Sequence, residues 1–148
     1  MEKPNAEEAL QREADNLRKL GQNKDAENKY SECIRLLQDA LRECGACEQK
    51  QSMEAALARA YNDRGFVKYL QVEFKSAVED YTSSLELKET EQAYYNRGLI
   101  KYRLSYFDEA IQDQQRALRI NPDFKPAEDC LKQSIIDREN GKNKEKLK

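Results

Sequence analysis

The sequence predicts an all-α chain of antiparallel helix pairs, and three observations predict it. Helix breakers are scarce: five Gly and three Pro in 148 residues, about half their joint share in average proteins. The chain also repeats itself. Between Gly45 and Pro122 the only Gly or Pro residues are Gly65 and Gly98, 33 residues apart. Laying 61–87 over 94–120 matches Tyr61, Arg64, Gly65, Lys68, Tyr69, Phe74, Ala77, Asp80 and Leu85 with Tyr94, Arg97, Gly98, Lys101, Tyr102, Phe107, Ala110, Asp113 and Leu118. Within each copy, large and small residues recur at helical spacing, as at Tyr94, Gly98 and Tyr102. Charged residues make up 36% and apolar ones 39%, which favours a thin helical core over a thick globule. Eight Tyr, four Phe and evenly spread aliphatics argue against disorder.

Taken in order, a first helix carries Leu10, Ala14 and Leu17 and ends at a turn on Gly21. Its partner carries Ala26, Tyr30 and Cys33 and runs on through Leu41 to Gly45, a C-terminal cap. The next helix starts early, near Ser52, since Met53, Ala56, Leu57 and Ala60 keep helical spacing before Tyr61 and Gly65. These two longer helices, around residues 34–57, should project beyond the repeats. A partner with Ala77, Tyr81 and Leu85 follows. In the third pair a turn at Leu104–Tyr106 precedes Asp108 and Glu109, acids that suit a helix start. Ala110, Ile111, Ala117, Leu118 and Ile120 then form a stripe that Asn121 and Pro122 end.

Gly inside a helix costs roughly 1 kcal/mol against Ala. Gly65 and Gly98 are therefore expected to be contact points, answered by Ala77 and Ala110 from the facing helix. Pro126 suits the first turn of a last helix, with Ala127, Cys130, Leu131 and Ile135 facing inward and Lys132 in its small-residue slot. The organisation expected is a single domain, 1–148, with repeats at about 7–45, 52–90 and 91–124. A capping helix at 125–139 and a basic flexible tail at 140–148 complete it.

Composition excludes much chemistry. No His is present, which removes Ser/His/Asp triads, Cys/His dyads and imidazole zinc sites. There is no phosphate-cradling Gly loop, and acid pairs such as Glu7/Glu8 have no second catalytic group beside them. An enzyme is not expected, nor a cofactor or metal. The net charge of −2 hides a basic end, five cations and two anions from Arg138 to Lys148, but no aromatic there can stack a base. Nucleic acid is thus not an expected partner. No run approaches a membrane span, and the N-terminus lacks an apolar signal region. Cys44 and Cys47 flank Gly-Ala at a helix end, where the dipole disfavours a thiolate. All four cysteines are expected as separate reduced thiols, consistent with a cytoplasmic protein. Lys68 and Lys101, each beside a Tyr, read as stems snorkelling over helix seams.

The order of slots resembles the tetratricopeptide repeat family, whose ~34-residue unit has W, L, G, Y, A, F and P positions. Tyr94, Gly98, Ala110 and Pro122 fill four of them in 91–124, while Arg97, Lys101 and Gln114 depart from the L, Y and F slots. Tyr61, Gly65, Ala77 and Tyr81 fit in the preceding repeat, and Leu10, Ala14, Leu17, Gly21, Ala26, Tyr30 and Cys33 in a diverged first one. The resemblance covers residues 7–137 and implies a right-handed α-solenoid of three repeats plus a capping helix. It also implies a non-enzymatic adaptor whose first helices line a groove for a protein or peptide partner.

That groove would carry Arg12 and Asp15 from the first repeat, and Arg59, Asn62, Asp63, Phe66 and Leu70 from the second. Tyr95, Asn96, Leu99 and Arg103 would come from the third. In the family's carboxylate clamp, Lys, Asn, Asn, Lys and Arg grip the EEVD terminus of heat-shock chaperones. The matching positions here are Gln11, Asp15, Asp63, Gln92 and Asn96. No cation remains and two are acids, so an EEVD receptor is not expected. Phe66, Leu70, Tyr95 and Leu99 would form an apolar floor under a polar rim. A monomer is expected over a homo-oligomer. The alternative is a structural subunit, or a homodimer, joined through the long helices.

Overall fold

The computed structural model describes residues 5–146, and side-chain environments through residue 142. Among these residues are seven helices and no strand: α1 Ala6–Lys19, α2 Asn23–Cys44, α3 Lys50–Leu70, α4 Phe74–Leu87, α5 Glu91–Arg103, α6 Phe107–Ile120 and α7 Lys125–Lys146. The fold is an all-α helical repeat. Contacts group α1–α4 in one compact unit and α5–α7 in another, with the boundary between Lys88 and Glu89.

In the first unit, Asn5 starts α1 by accepting the Glu8 amide on its side-chain oxygen, 2.8 Å, which satisfies one orphan donor of the first turn. Gly21 then closes the helix at φ +79°. Its amide reaches the Arg18 carbonyl and that of Gln22 reaches Leu17, the back-bonded ending that favours a left-handed residue. The α3–α4 turn repeats this pattern with Val72 at φ +63°, its neighbour Glu73 donating to Lys68. A β-branched residue there is strained. Ala14, Ala26, Tyr30 and Val67 pack with Leu17, while Cys33, Ile34, Leu37, Leu57 and Ala60 form a second cluster. Leu41 and Met53 pack against that second cluster, so the extended ends of α2 and α3 are partly covered by each other. α3 begins at Lys50, two residues before the expected Ser52.

Gly65 is a contact point, and the side chain nearest to it is Tyr81 rather than the expected Ala77. A Cβ at Gly65 would meet the Tyr81 ring at 2.9 Å. Lys68 also corrects the snorkelling expectation. Its ammonium lies 2.9 Å from Asp80, which the Arg64 guanidinium grips with two bonds of 2.8 and 2.7 Å. Asp80 is buried, and two cations hold it.

Cys44 and Cys47 are joined as a disulfide across the α2–α3 loop, with Cα atoms 5.3 Å apart. Gly45, at φ +60° directly after the helix end, turns the chain so that the two meet. This corrects the expectation of separate thiols there and removes the argument from reduced cysteines to a cytoplasmic setting. Cys33 and Cys130 are free and buried.

In the second unit, Thr90 caps α5 through the Ala93 amide, 3.1 Å. Gly98 faces α6 without room for a Cβ, which would lie 2.5 Å from Gln114 Nε2 and 3.0 Å from Asp113 Cβ. Here too the nearest side chains, Gln114 and Asp113, are larger than the expected Ala110. Arg97 holds the buried Asp113 with bonds of 2.9 and 2.8 Å, and Lys101 adds 3.1 Å. The α5–α6 turn places Ser105 at φ +66°.

α7 buries Ala127, Cys130 and Ser134. Ile135 is exposed, contrary to its expected inward place, because Ser134 occupies that turn of the packed face. Lys132 sits outside and pairs with Glu128 at 2.8 Å. The helix continues through residues 140–146, where a flexible tail is expected from sequence, and residues 147–148 lie outside those described.

Candidate functional site

The first unit holds a cleft of about 530 Å³ between α1 and the first half of α3. It exists because α3 begins early. Gln49, Ser52, Met53, Ala56 and Arg59 form one wall, all but the last from the extension. Glu7, Glu8, Gln11, Arg12 and Asp15 form the other, and Cys33 and Leu37 of α2 make the floor. Arg12 and Ala56 are exposed and Met53 is half-buried, so the cleft offers apolar area under a charged rim.

At one end of this cleft the side chain of Gln11 donates to two carboxylates, Asp63 at 2.7 Å and Asp15 at 3.2 Å. Tyr30 donates its hydroxyl to Asp15 at 2.6 Å. Arg59 reaches Asp15 at 3.0 Å and Asp63 at 3.5 Å. Arg18 stands farther off, 3.7 Å from Asp63 and 3.9 Å from Asp15. Burial, then the neighbouring Asp15, pushes the Asp63 carboxyl up from its ordinary range, against the pull of Arg18, Arg59 and Gln11. Burial followed by the hydrogen bond to Asp15 likewise raises the Tyr30 hydroxyl, so it stays a donor. The Cys33 thiol is pushed up to about 11 by burial and then by Glu7, which leaves it protonated and unreactive at neutral pH.

Of the residues assigned to a groove, Arg12, Asp15 and Arg59 line this cleft, and Asp63 joins it through Gln11. Asn62 is half-buried and does not line it. Phe66 is half-buried under the Arg18 guanidinium, 5.8 Å from the ring centre, and 6.4 Å from the Tyr69 ring. Leu70 is exposed at the end of α3. Arg18 and Tyr30 join the cluster without being expected there from the sequence. Arg18 lies one helical turn after Asp15, a spacing that could have signalled the pair, whereas nothing local links Tyr30 to Asp15.

In the second unit Tyr95 and Leu99 border a shallower hollow of about 560 Å³ between α5 and α7, with Tyr102, Pro126 and Cys130. Tyr95 meets Phe124 edge to face at 5.8 Å. Asn96 accepts from Gln92 at 2.9 Å, and Arg103 is exposed outside the hollow. Among the described residues no three His, Cys, Asp or Glu side chains are placed to hold a metal ion. None of the described helices is long and apolar enough to cross a membrane.

The tetratricopeptide repeat family model matches residues 91–124. Solved structures share the fold. The TPR domain of Arabidopsis OM64 is 24% identical over 87% of this chain and 93% of that one, with a TM-score of 0.72. The first TPR of Spaghetti (RPAP3), solved with the HSP90 peptide SRMEEVD, is 18% identical over 86% and 89%, TM-score 0.70. The Hsp90 co-chaperone Cns1 of Saccharomyces cerevisiae is 22% identical over 95% of this chain and 42% of its own, TM-score 0.78. The family match thus marks one tetratricopeptide repeat at residues 91–124, and the solved structures show a shared helical-repeat fold.

Proposed function

We propose that this protein is a non-enzymatic interaction module that holds a peptide segment of a partner protein in the α1/α3 cleft. The observation that carries the reading is the cleft itself: apolar area on Leu37, Met53 and Ala56 beneath a rim of Arg12, Arg59, Asp15 and Gln11. Apolar floor gives affinity and polar rim gives register. The fold likeness to TPR domains, one of them solved with a bound peptide, supports the same reading. Catalysis is not part of this reading, since the buried acids Asp80 and Asp113 are spent on arginine and lysine pairs. Membrane and nucleic acid are not proposed as partners.

The ligand is not a chaperone EEVD terminus. Asp15 and Asp63 occupy the positions where such a carboxylate would need donors, and the Gln11 amide between them is already engaged by both. Calorimetric titration with an EEVD peptide should give no heat of binding, and micromolar affinity would sink the exclusion. For the cleft, random peptides displayed on phage are selected on immobilised full-length chain. Ala56→Arg places a long side chain in the cleft from an exposed helical position, so the peptides retained by the wild type should be lost. Unchanged retention would refute the site.

A second reading, a structural subunit, draws on the length of α2 and α3, 22 and 21 residues against 13 or 14 in α1, α4, α5 and α6. Light scattering separates the two. A monomer with an open cleft fits the first, and self-association that closes the cleft fits the second.

A further inference from the structure

We propose that the α1/α3 cleft selects a segment carrying a Lys or Arg beside an apolar residue, the cation docking at Asp15 and Asp63 and the apolar group on Met53 and Ala56. This rests on the peptide-binding reading above and names what the peptide must carry. The two carboxylates share a single amide donor, Gln11, at 3.2 and 2.7 Å, which places like charges side by side at the cleft end. Their own cations offset them incompletely. Arg18 stays at 3.7 and 3.9 Å, outside good hydrogen-bond range, and the Asp63 carboxyl is held above its ordinary range by burial and by Asp15.

Arg59 is the close partner, yet 64% of its side chain is exposed. Such an arm on the rim can swing aside at little cost, leaving its two acceptors to an incoming guanidinium or ammonium. The opposite charge fits worse. A carboxylate entering the cleft would find Arg12 and Arg59, but it would lie among Glu7, Glu8 and Asp15 on α1, and like charges at close range reject a ligand more strongly than loose pairs attract one.

The test sequences the phage-displayed peptides retained by the full-length wild type. Lys and Arg should be enriched over the unselected library, with Leu, Ile, Val or Met nearby. Replacing the selected cation by Gln should weaken binding about tenfold, and raised salt should weaken the parent peptide alone. Asp15→Asn with Asp63→Asn should cause the same tenfold loss while keeping the Gln11 and Tyr30 hydrogen bonds through the amide oxygens. Should that pair unfold, as circular dichroism would show, the exposed Arg12→Glu serves instead. It is expected to tighten binding, and weaker binding would overturn the proposal. Enrichment of Asp and Glu, no charge preference, or unchanged binding in a folded Asn pair would also overturn it. These outcomes leave a peptide-binding cleft in place, whereas retention of no peptide at all removes both readings.

Discussion

The two helix pairs of the first unit follow one plan with different chemistry. At the α3–α4 seam, buried Asp80 is held by Arg64 and Lys68. At the α1–α2 seam the same places, 51 residues earlier, hold Glu13 and Lys29, with the charges reversed, 3.7 Å apart and partly exposed. Gly65 lets Tyr81 lie on the backbone, while its counterpart is Ala14 and Tyr30 reaches past it to Asp15. The turn residue is strain-free Gly21 in one pair and Val72 in the other. A repeat thus preserves shape more strictly than charge, since either sign order closes a seam but only a small residue admits the facing helix.

Substitutions at these positions put the contrast to the test. The largest effect is expected from Asp80→Asn, which leaves Arg64 and Lys68 without their acid in a buried seam. Urea unfolding should show a loss of about 3–5 kcal/mol, against less than about 1 kcal/mol for Glu13→Ala in the partly exposed pair. Equal losses would erase the distinction. Gly65→Ala should follow. The gain of roughly 1 kcal/mol in helix propensity is outweighed by about 1–3 kcal/mol of overpacking against the buried Tyr81 ring, and the net loss should shrink in a Tyr81→Val background.

Val72→Gly should raise the thermal midpoint, worth about 1 kcal/mol from relief of the left-handed strain. Val72 is 70% exposed, so little packing is lost. The smallest effect belongs to Asp63→Asn and depends on pH. The folded state raises the Asp63 pKa, so the stability it contributes is present below the unfolded pKa and is lost as pH rises through the folded one. Variant and wild type should match in acid, and the variant should be slightly the more stable at neutral pH. A less stable variant at neutral pH would mean that Arg18 and Arg59 compensate the charge fully.

Much of the fold is legible in the sequence because helical spacing reports which residues face inward. Gly21, Gly45, Gly65 and Gly98 mark turns and contacts at the right places. Partners are less legible. Spacing showed that Gly65 touches something, but whether Ala77 or Tyr81 fills the gap depends on how the facing helix is rotated. The charge triads left a clear trace, since Arg64, Lys68 and Asp80 recur as Arg97, Lys101 and Asp113. Lys68 and Lys101 nevertheless read as solvated stems, because a repeat distance does not say that Asp lies across a helix seam from them. Ile135 misled for a related reason: Ser134 serves the packed face just as well by being small. At the cleft, Asp15 and Asp63 were placed by their repeat positions, whereas Tyr30 joins them only through tertiary packing.

The disulfide loop also gives the protein a built-in attachment point. Cys33 is buried with its thiol pushed up to about 11, and burial raises the Cys130 thiol as well. Mild reduction therefore offers a maleimide only the half-exposed sulfurs of Cys44 and Cys47. A fluorophore placed there sits just ahead of Gln49 and Ser52 on the cleft wall, and its emission can follow an arriving ligand in the unmutated chain.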